Sequence, residues 1–211
     1  MVVLVATIGF DEKFVIRAIL RNLKELEKIY LVTARPIEEK VAKAIDQVKQ
    51  FVNVALLAPG FKVIVEVVDV EIEDFPGAVS QIRKKCFSEP DNYVVSLGGG
   101  MRAVVLATLA AFLVSGARGE IEVELENFRG VIKFKPELFK ITSLGDYEKS
   151  VISSLTKHGR ATYKELLEDT GLSRATLFRV LKSLKLKGLI EVHRENKTSY
   201  YTLTDVGRIY T

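Results

Sequence analysis

The sequence predicts an α/β chain in which a mostly parallel six-stranded sheet, with helices on both faces, precedes a small helical module ending in a β-hairpin. Three observations point there. Apolar, β-branched runs alternate with segments of helical period over the first half of the chain. Two further runs alternate apolar with polar residues, and the last third changes to short helices separated by Gly and Ser/Thr caps.

The elements follow in order. VVLVATI, residues 2–8, stops at Gly9 and is expected to be a strand buried on both faces. Over residues 12–26, Phe14, Val15, Ala18, Ile19, Leu23 and Leu26 recur at helical spacing. IYLVTA, residues 29–34, is the second strand, and Pro36 suits the first turn of a helix carrying Ile37, Val41, Ile45, Val48 and Val52, closed by Pro59 and Gly60. The third strand is expected over residues 62–70, and Asp74 caps a helix with Pro76 in its first turn that continues through Val79, Ile82 and Phe87. Residues 93–97 make the fourth strand, which enters Gly98, Gly99 and Gly100 and then an apolar helix over 101–114. Such alternation demands right-handed crossovers. EIEVELEN, residues 120–127, alternates cleanly, Arg129 and Gly130 turn, and VIKFK returns, which predicts an antiparallel edge hairpin with its acidic face in water. The strand pattern stops near Pro136, so the expected organisation is a domain over 1–135, a linker over 136–145 and a second domain over 146–211.

Composition bounds the function. With 48% hydrophobic and 27% charged residues and no low-complexity tract, the chain is expected to fold throughout. The start MVVLVATIGF runs into Asp11, Glu12 and Lys13 and lacks the features of a secretion signal, while the apolar stretch 103–114 is too short to cross a bilayer. A soluble, cytoplasmic protein without a membrane partner is expected. Cys86 is the single cysteine, which excludes disulfide scaffolds and multi-cysteine metal sites and leaves it a packing role. Charge divides unevenly: 19 Lys/Arg face 19 Asp/Glu up to residue 143, and 12 face 8 beyond it. A basic module on a neutral body points to a polyanionic partner.

That module has a readable order. Val151, Ile152 and Leu155 share one face of a helix over 146–157, Thr162 caps a second helix with Leu166 and Leu167, and Gly171 turns the chain. Ser173 caps a third helix lined by Leu177, Val180, Leu181 and Leu184, with Arg174, Thr176, Arg179 and Lys182 opposite, and Gly188 ends it. LIEVH and SYYTL then form a hairpin through Glu195, Asn196 and Lys197. Helix, short turn, basic helix and hairpin make a winged helix-turn-helix whose third helix enters the major groove of double-stranded DNA and whose wing, through Arg194 and Lys197, meets flanking phosphates. The alternative is a solvated basic face on an interaction module. SRATLFRVLKSLKLKGLIEV, residues 173–192, resembles the winged-helix domains of MarR/ArsR-type regulators, which places Arg174, Thr176 and Arg179 at the DNA face, and Ser173 and Lys182 join the candidate DNA-binding set.

In open α/β sheets ligands sit beyond the carboxyl ends of the strands, where strand order reverses. If the first strand lies beside the fourth, Thr7, Ile8, Gly9, Phe10 and Asp11 meet Ser96, Leu97, Gly98, Gly99, Gly100, Met101 and Arg102 there. Glycines admit close approach, amides at a helix N-terminus suit phosphate, and Arg102 adds a charged donor. Arg35, closing the second strand, joins the candidate ligand set. A dinucleotide fingerprint is missing: the first loop has only Gly9, and the second strand ends in Thr33, Ala34 and Arg35 rather than an acid, which disfavours NAD. The alternative reading of the glycines is tight strand-to-helix packing alone.

TIGFD and SLGGGMR on a Rossmann-like sheet, with a winged helix appended, resemble the CRISPR-associated Rossmann-fold (CARF) transcription regulators of archaea, and among them the Csa-type. The resemblance implies a homodimer that binds a cyclic oligoadenylate, with cyclic tetra-adenylate the expected ring, across its two-fold axis and regulates CRISPR loci at their promoters. The family pattern after the fourth strand has Asn or Asp, then Ser or Thr, then Arg or Lys; here Arg102 matches the basic position, but Ser96 and Gly98 replace the first two. The resemblance therefore implies binding of the ring more than its cleavage. The enzymatic alternative is a ring nuclease driven by the ligand's own 2′-hydroxyl with Ser96 or Arg102 assisting, since His158 and His193 both fall outside the sensing domain. No catalytic residue, metal or cofactor is expected.

Overall fold

Six apolar runs become one sheet: β1 (Val2–Thr7), β2 (Leu26–Ala34), β3 (Ile64–Val70), β4 (Asn92–Ser96), β5 (Arg118–Glu124) and β6 (Val131–Phe134). The computed structural model describes residues 2–55, 63–89, 92–127, 129–139, 143–196 and 198–211. The strand order is β3-β2-β1-β4-β5-β6, parallel from β3 to β5 with β6 antiparallel at the edge. Helices α1 (Lys13–Asn22), α2 (Glu39–Ala55), α3 (Phe75–Cys86) and α4 (Arg102–Ser115) cover it.

Strand alternation divides the apolar residues between two cores. Val2, Leu4, Ala6 and Ile8 pack with Val15, Ala18 and Ile19 of α1 and Val41, Ile45 and Val48 of α2. Val3 and Val5 face the other way, with Ala78 and Ile82 of α3 and Val104, Ala107, Ala111 and Phe112 of α4. Cys86 lies fully within this second core, where burial pushes its thiol up to about 12, so it packs as an inert apolar group. Asp74 caps α3 as the sequence predicts, its carboxylate accepting the Gly77 N–H at 3.1 Å.

Three expectations change. The first helix ends at Asn22, and Leu26 begins β2; Leu26 buries into the same core as Ile19, so the apolar spacing runs on while the backbone becomes extended. Pro36 is not in the first turn of α2, which begins at Glu39. The intervening residues follow the strand edge instead, with the Arg35 N–H donating to the Val70 carbonyl at 2.8 Å. Pro59, Gly60 and Lys62 lie outside the described residues. The acidic face of β5 is not in water: Glu122 and Glu124 are buried. Arg21 on α1 donates to Glu122 at 3.1 Å and to Glu124 at 2.8 Å, Arg17 pairs with Glu124, and Lys133 of β6 meets Glu122 at 2.6 Å. The alternation is real, but α1 brings Arg17 and Arg21 onto this face of β5, so Glu122 and Glu124 pair rather than hydrate.

The chain divides into two units, Met1–Pro136 and Glu137–Thr211, with Pro136–Phe139 forming a 3-10 turn. The second unit contains α5 (Asp146–His158), β7 (Arg160–Thr162), α6 (Tyr163–Thr170), α7 (Arg174–Leu186), β8 (Ile190–Glu195), β9 (Thr198–Leu203) and α8 (Asp205–Arg208). Val151, Ile152, Leu155, Leu166, Leu177, Leu181 and Leu184 form its core. The sequence shows no sign of β7, which at three residues is too short to express a period, yet it pairs with β9 and makes the wing a three-stranded sheet.

Candidate functional site

Pairing of β1 with β4, Ala6 against Ser96, brings their carboxyl-end loops together at the place where strand order reverses. A cavity of about 800 Å³ opens there. Among the sequence-predicted residues, Ile8, Gly9, Phe10, Asp11, Arg35, Gly98, Gly99, Gly100 and Met101 line it. Thr7, Ser96 and Leu97 do not; they are buried at the strand ends. Arg102 is exposed on the first turn of α4 and stays off the wall, one residue beyond Met101.

The glycines have different duties. A Cβ on Gly9 would stand 2.7 Å from Gly100 Cα, and one on Gly100 would stand 2.9 Å from the Ile8 carbonyl at a φ of +93°. These two residues let the loops touch each other. Gly99 is freer, since its Cβ would meet the Thr7 carbonyl oxygen at 3.4 Å, an ordinary contact. Met101, the N-cap of α4, supplies no capping side chain, which leaves first-turn amides of that helix beside the triple glycine.

Sequence reading missed most of the opposite wall. Thr33 and Ala34 at the end of β2, Pro36 after it, Glu71, Ile72 and Glu73 after β3, and Glu38, Val41, Phe14 and Glu126 also line the cavity. The strand order 3-2-1-4 would have implicated the loop after β3, but no motif marks it. Among the described residues the wall therefore holds five carboxylates, Asp11, Glu38, Glu71, Glu73 and Glu126, against one cation, Arg35. Arg35 is itself paired, donating from Nε to Asp69 at 2.6 Å, and this bond holds the Asp69 carboxyl below its ordinary range. The arrangement presents acceptors along one side and backbone donors along the other. It suits a ligand with both amino or hydroxyl groups and anionic groups.

In the second unit, Ser173 caps α7 by accepting the Thr176 N–H at 3.2 Å, and the two hydroxyls lie 2.9 Å apart. Arg174, Arg179 and Lys182 are exposed, opposite the buried Leu177, Leu181 and Leu184. Tyr163 of α6 donates its hydroxyl to the Arg174 carbonyl at 2.6 Å and so fixes the start of α7. Arg194 is exposed on β8. Lys197 lies outside the described residues. Glu148 of α5 accepts from Ser183 at 2.7 Å and Lys187 at 2.7 Å and from the Gly145 N–H at 3.0 Å, which ties α5 to α7.

Residues 2–135 match the family described as the Csa3 CRISPR-associated Rossmann-like domain. The chain belongs to that family. Residues 139–206 match the family described as the sugar-specific transcriptional regulator TrmB, so this Csa3-type chain pairs its Rossmann-like domain with a winged-helix DNA-binding module and is a CRISPR-associated transcription regulator. A curated relative is the phenylalanine–tRNA ligase alpha subunit of Pyrococcus abyssi, 33% identical over 69 residues, which are 33% of this chain and 14% of that protein. Among solved structures, Can2 from Sulfobacillus thermosulfidooxidans in complex with cyclic tetra-adenylate is 10% identical at a TM-score of 0.46, covering 98% of this chain and 62% of that one. The Bordetella bronchiseptica regulator BpsR is 26% identical at a TM-score of 0.31, covering 31% of this chain and 49% of that one. Among the described residues, no helix is long and apolar enough to cross a membrane.

Proposed function

We propose that this Csa3-type chain is a ligand-gated regulator of CRISPR loci, a homodimer that senses a cyclic oligoadenylate, with cyclic tetra-adenylate as the ring, and binds promoter DNA through α7 and the wing. One observation supports the ligand reading above all: the TIGFD and SLGGGMR loops close on a single cavity at the switch point of a Csa3-family sheet. Phosphates belong beside the amides of Gly98, Gly99 and the first turn of α4, with Arg102 within a residue of that wall. Adenine amino groups and ribose hydroxyls are donors, and the carboxylates of Asp11, Glu71 and Glu73 accept from such groups. The Can2 structure in complex with cyclic tetra-adenylate is in keeping with this ligand class.

The helix that begins at the cavity supports the dimer. α4 buries Val104, Ala107, Ala111 and Phe112 yet leaves Leu106 58% and Val114 63% exposed on its other side. An apolar outer face of this kind is suited to a second copy, and a ring with two-fold symmetry matches the two identical loop sets of an isologous interface. Binding shifts the spacing of the two recognition helices if the ring prefers one dimer arrangement over the other.

The test is titration of purified protein with labelled rings of three to six adenylates, followed by chromatography of the recovered ligand and by promoter binding with and without it. Retention of one intact ring and a changed DNA affinity are the expected results. Recovery of linear product would reassign the chain as a ring nuclease, and indifference to every ring would remove the ligand from this cavity.

A further inference from the structure

α7 carries, among its charges, a large apolar side chain that packing does not explain. Leu177, Val180, Leu181 and Leu184 supply the buried stripe, whereas Phe178 is 65% exposed in the second turn. Helical spacing puts it on the surface shared with Arg174 and Lys182, one turn away on either side, and next to Ala175 and Arg179. An aromatic ring held in water among three cations contributes little to folding.

We propose that Phe178 is a specificity-determining residue that reads the C5-methyl group of a thymine in the major groove. The inference rests on α7 being the helix that enters the groove. The flanking Arg174, Arg179 and Lys182 are complementary to a polyanion, and the second turn of such a helix lies at the base edges rather than the backbone. Among the groups that base edges present in the major groove, the thymine methyl is the apolar one, and contact with Phe is one of its known partners in direct readout. Arg179 and Lys182 then read acceptors on either side, so the helix combines charged and apolar recognition along one groove segment.

The experiment first selects a preferred duplex from a randomised pool with the full-length wild-type chain. Each thymine of that duplex is next replaced singly by deoxyuridine, which removes the methyl and leaves pairing intact. Wild type is expected to lose about fourfold in affinity at one position per half-site, the effect of one buried methyl group. Phe178→Ala is expected to bind the thymine and deoxyuridine duplexes equally, and Phe178→Leu to keep part of the preference; melting temperatures monitor the fold. Wild type without any methyl-sensitive position overturns the proposal, as does an undiminished preference in folded Phe178→Ala. A change in dimerisation by Phe178→Ala with methyl sensitivity intact would assign the ring to a protein contact. Failure of wild type to select any sequence would reject α7 as the reading helix and the proposal with it.

Discussion

At the scale of single residues, the triple glycine separates into structural and ligand-facing members. Gly9 and Gly100 are in mutual contact, so Ala at either position forces backbone apart and is expected to cost about 1–3 kcal/mol of stability, visible as a lower Tm. Gly99→Ala is different. Its new methyl meets only an ordinary contact, so the variant should melt like wild type, and if the ring seats on this glycine loop it should bind cyclic tetra-adenylate more weakly. Arg102→Ala should lower ligand affinity by about 1.5–3 kcal/mol if its guanidinium makes a charged hydrogen bond in the assembled site. Calorimetric titration of the two folded variants checks both, and unchanged affinity in the pair would place the site elsewhere. On α7, Arg179→Ala should cost about 1–3 kcal/mol at the preferred duplex and less on random DNA, whereas Arg194→Ala on the wing should weaken both alike.

At the scale of elements, the link between α5 and α7 is electrostatic and titrates. Burial raises the Glu148 carboxyl, but the bonds from Lys187, Ser183 and the Gly145 N–H together outweigh it and hold the group below the ordinary glutamate range. A depressed folded-state value means that its stabilisation is fully present above the unfolded value and is lost as pH falls through the folded one. The winged unit should therefore weaken on acidification through and below the ordinary glutamate range, and Glu148→Gln should flatten that part of the profile while lowering Tm at pH 7. Denaturant midpoints measured across this range check the sign. Period legibility followed coverage. β1 read correctly because Val2, Leu4 and Ala6 meet one pair of helices while Val3 and Val5 meet the other, which leaves no polar position to confuse the strand. β5 misled because its alternation is the usual mark of a half-wet strand, and the arginines that neutralise Glu122 and Glu124 come from α1, about a hundred residues away in sequence. The cavity shows the same divide. Glycines after β1 and β4 announce themselves locally, whereas Glu71 and Glu73 reach the site only through the strand order.

At the scale of the whole molecule, a neutral domain and a basic one divide the work. Because the net charge of +4 resides beyond residue 143, DNA affinity should fall steeply with salt, and a chain ending at Pro136 should lose it. Retained affinity in that truncation would move the DNA surface to the sheet domain. The sharper expectation concerns coupling, since a regulator requires more than two binding events on one chain. If the ring changes DNA affinity by some factor, duplex must change ring affinity by the same factor, because the free-energy cycle closes. The preferred duplex should therefore shift the calorimetric Kd for cyclic tetra-adenylate by the ratio seen when the ring shifts the Kd for duplex, in the same direction, at one salt concentration. Typical couplings of about 1–3 kcal/mol make this a roughly 5- to 150-fold effect, well within reach of titration. Two ratios of one would show that the ring has equal affinity for the DNA-free and DNA-bound states and exerts no gating, however tightly it is held.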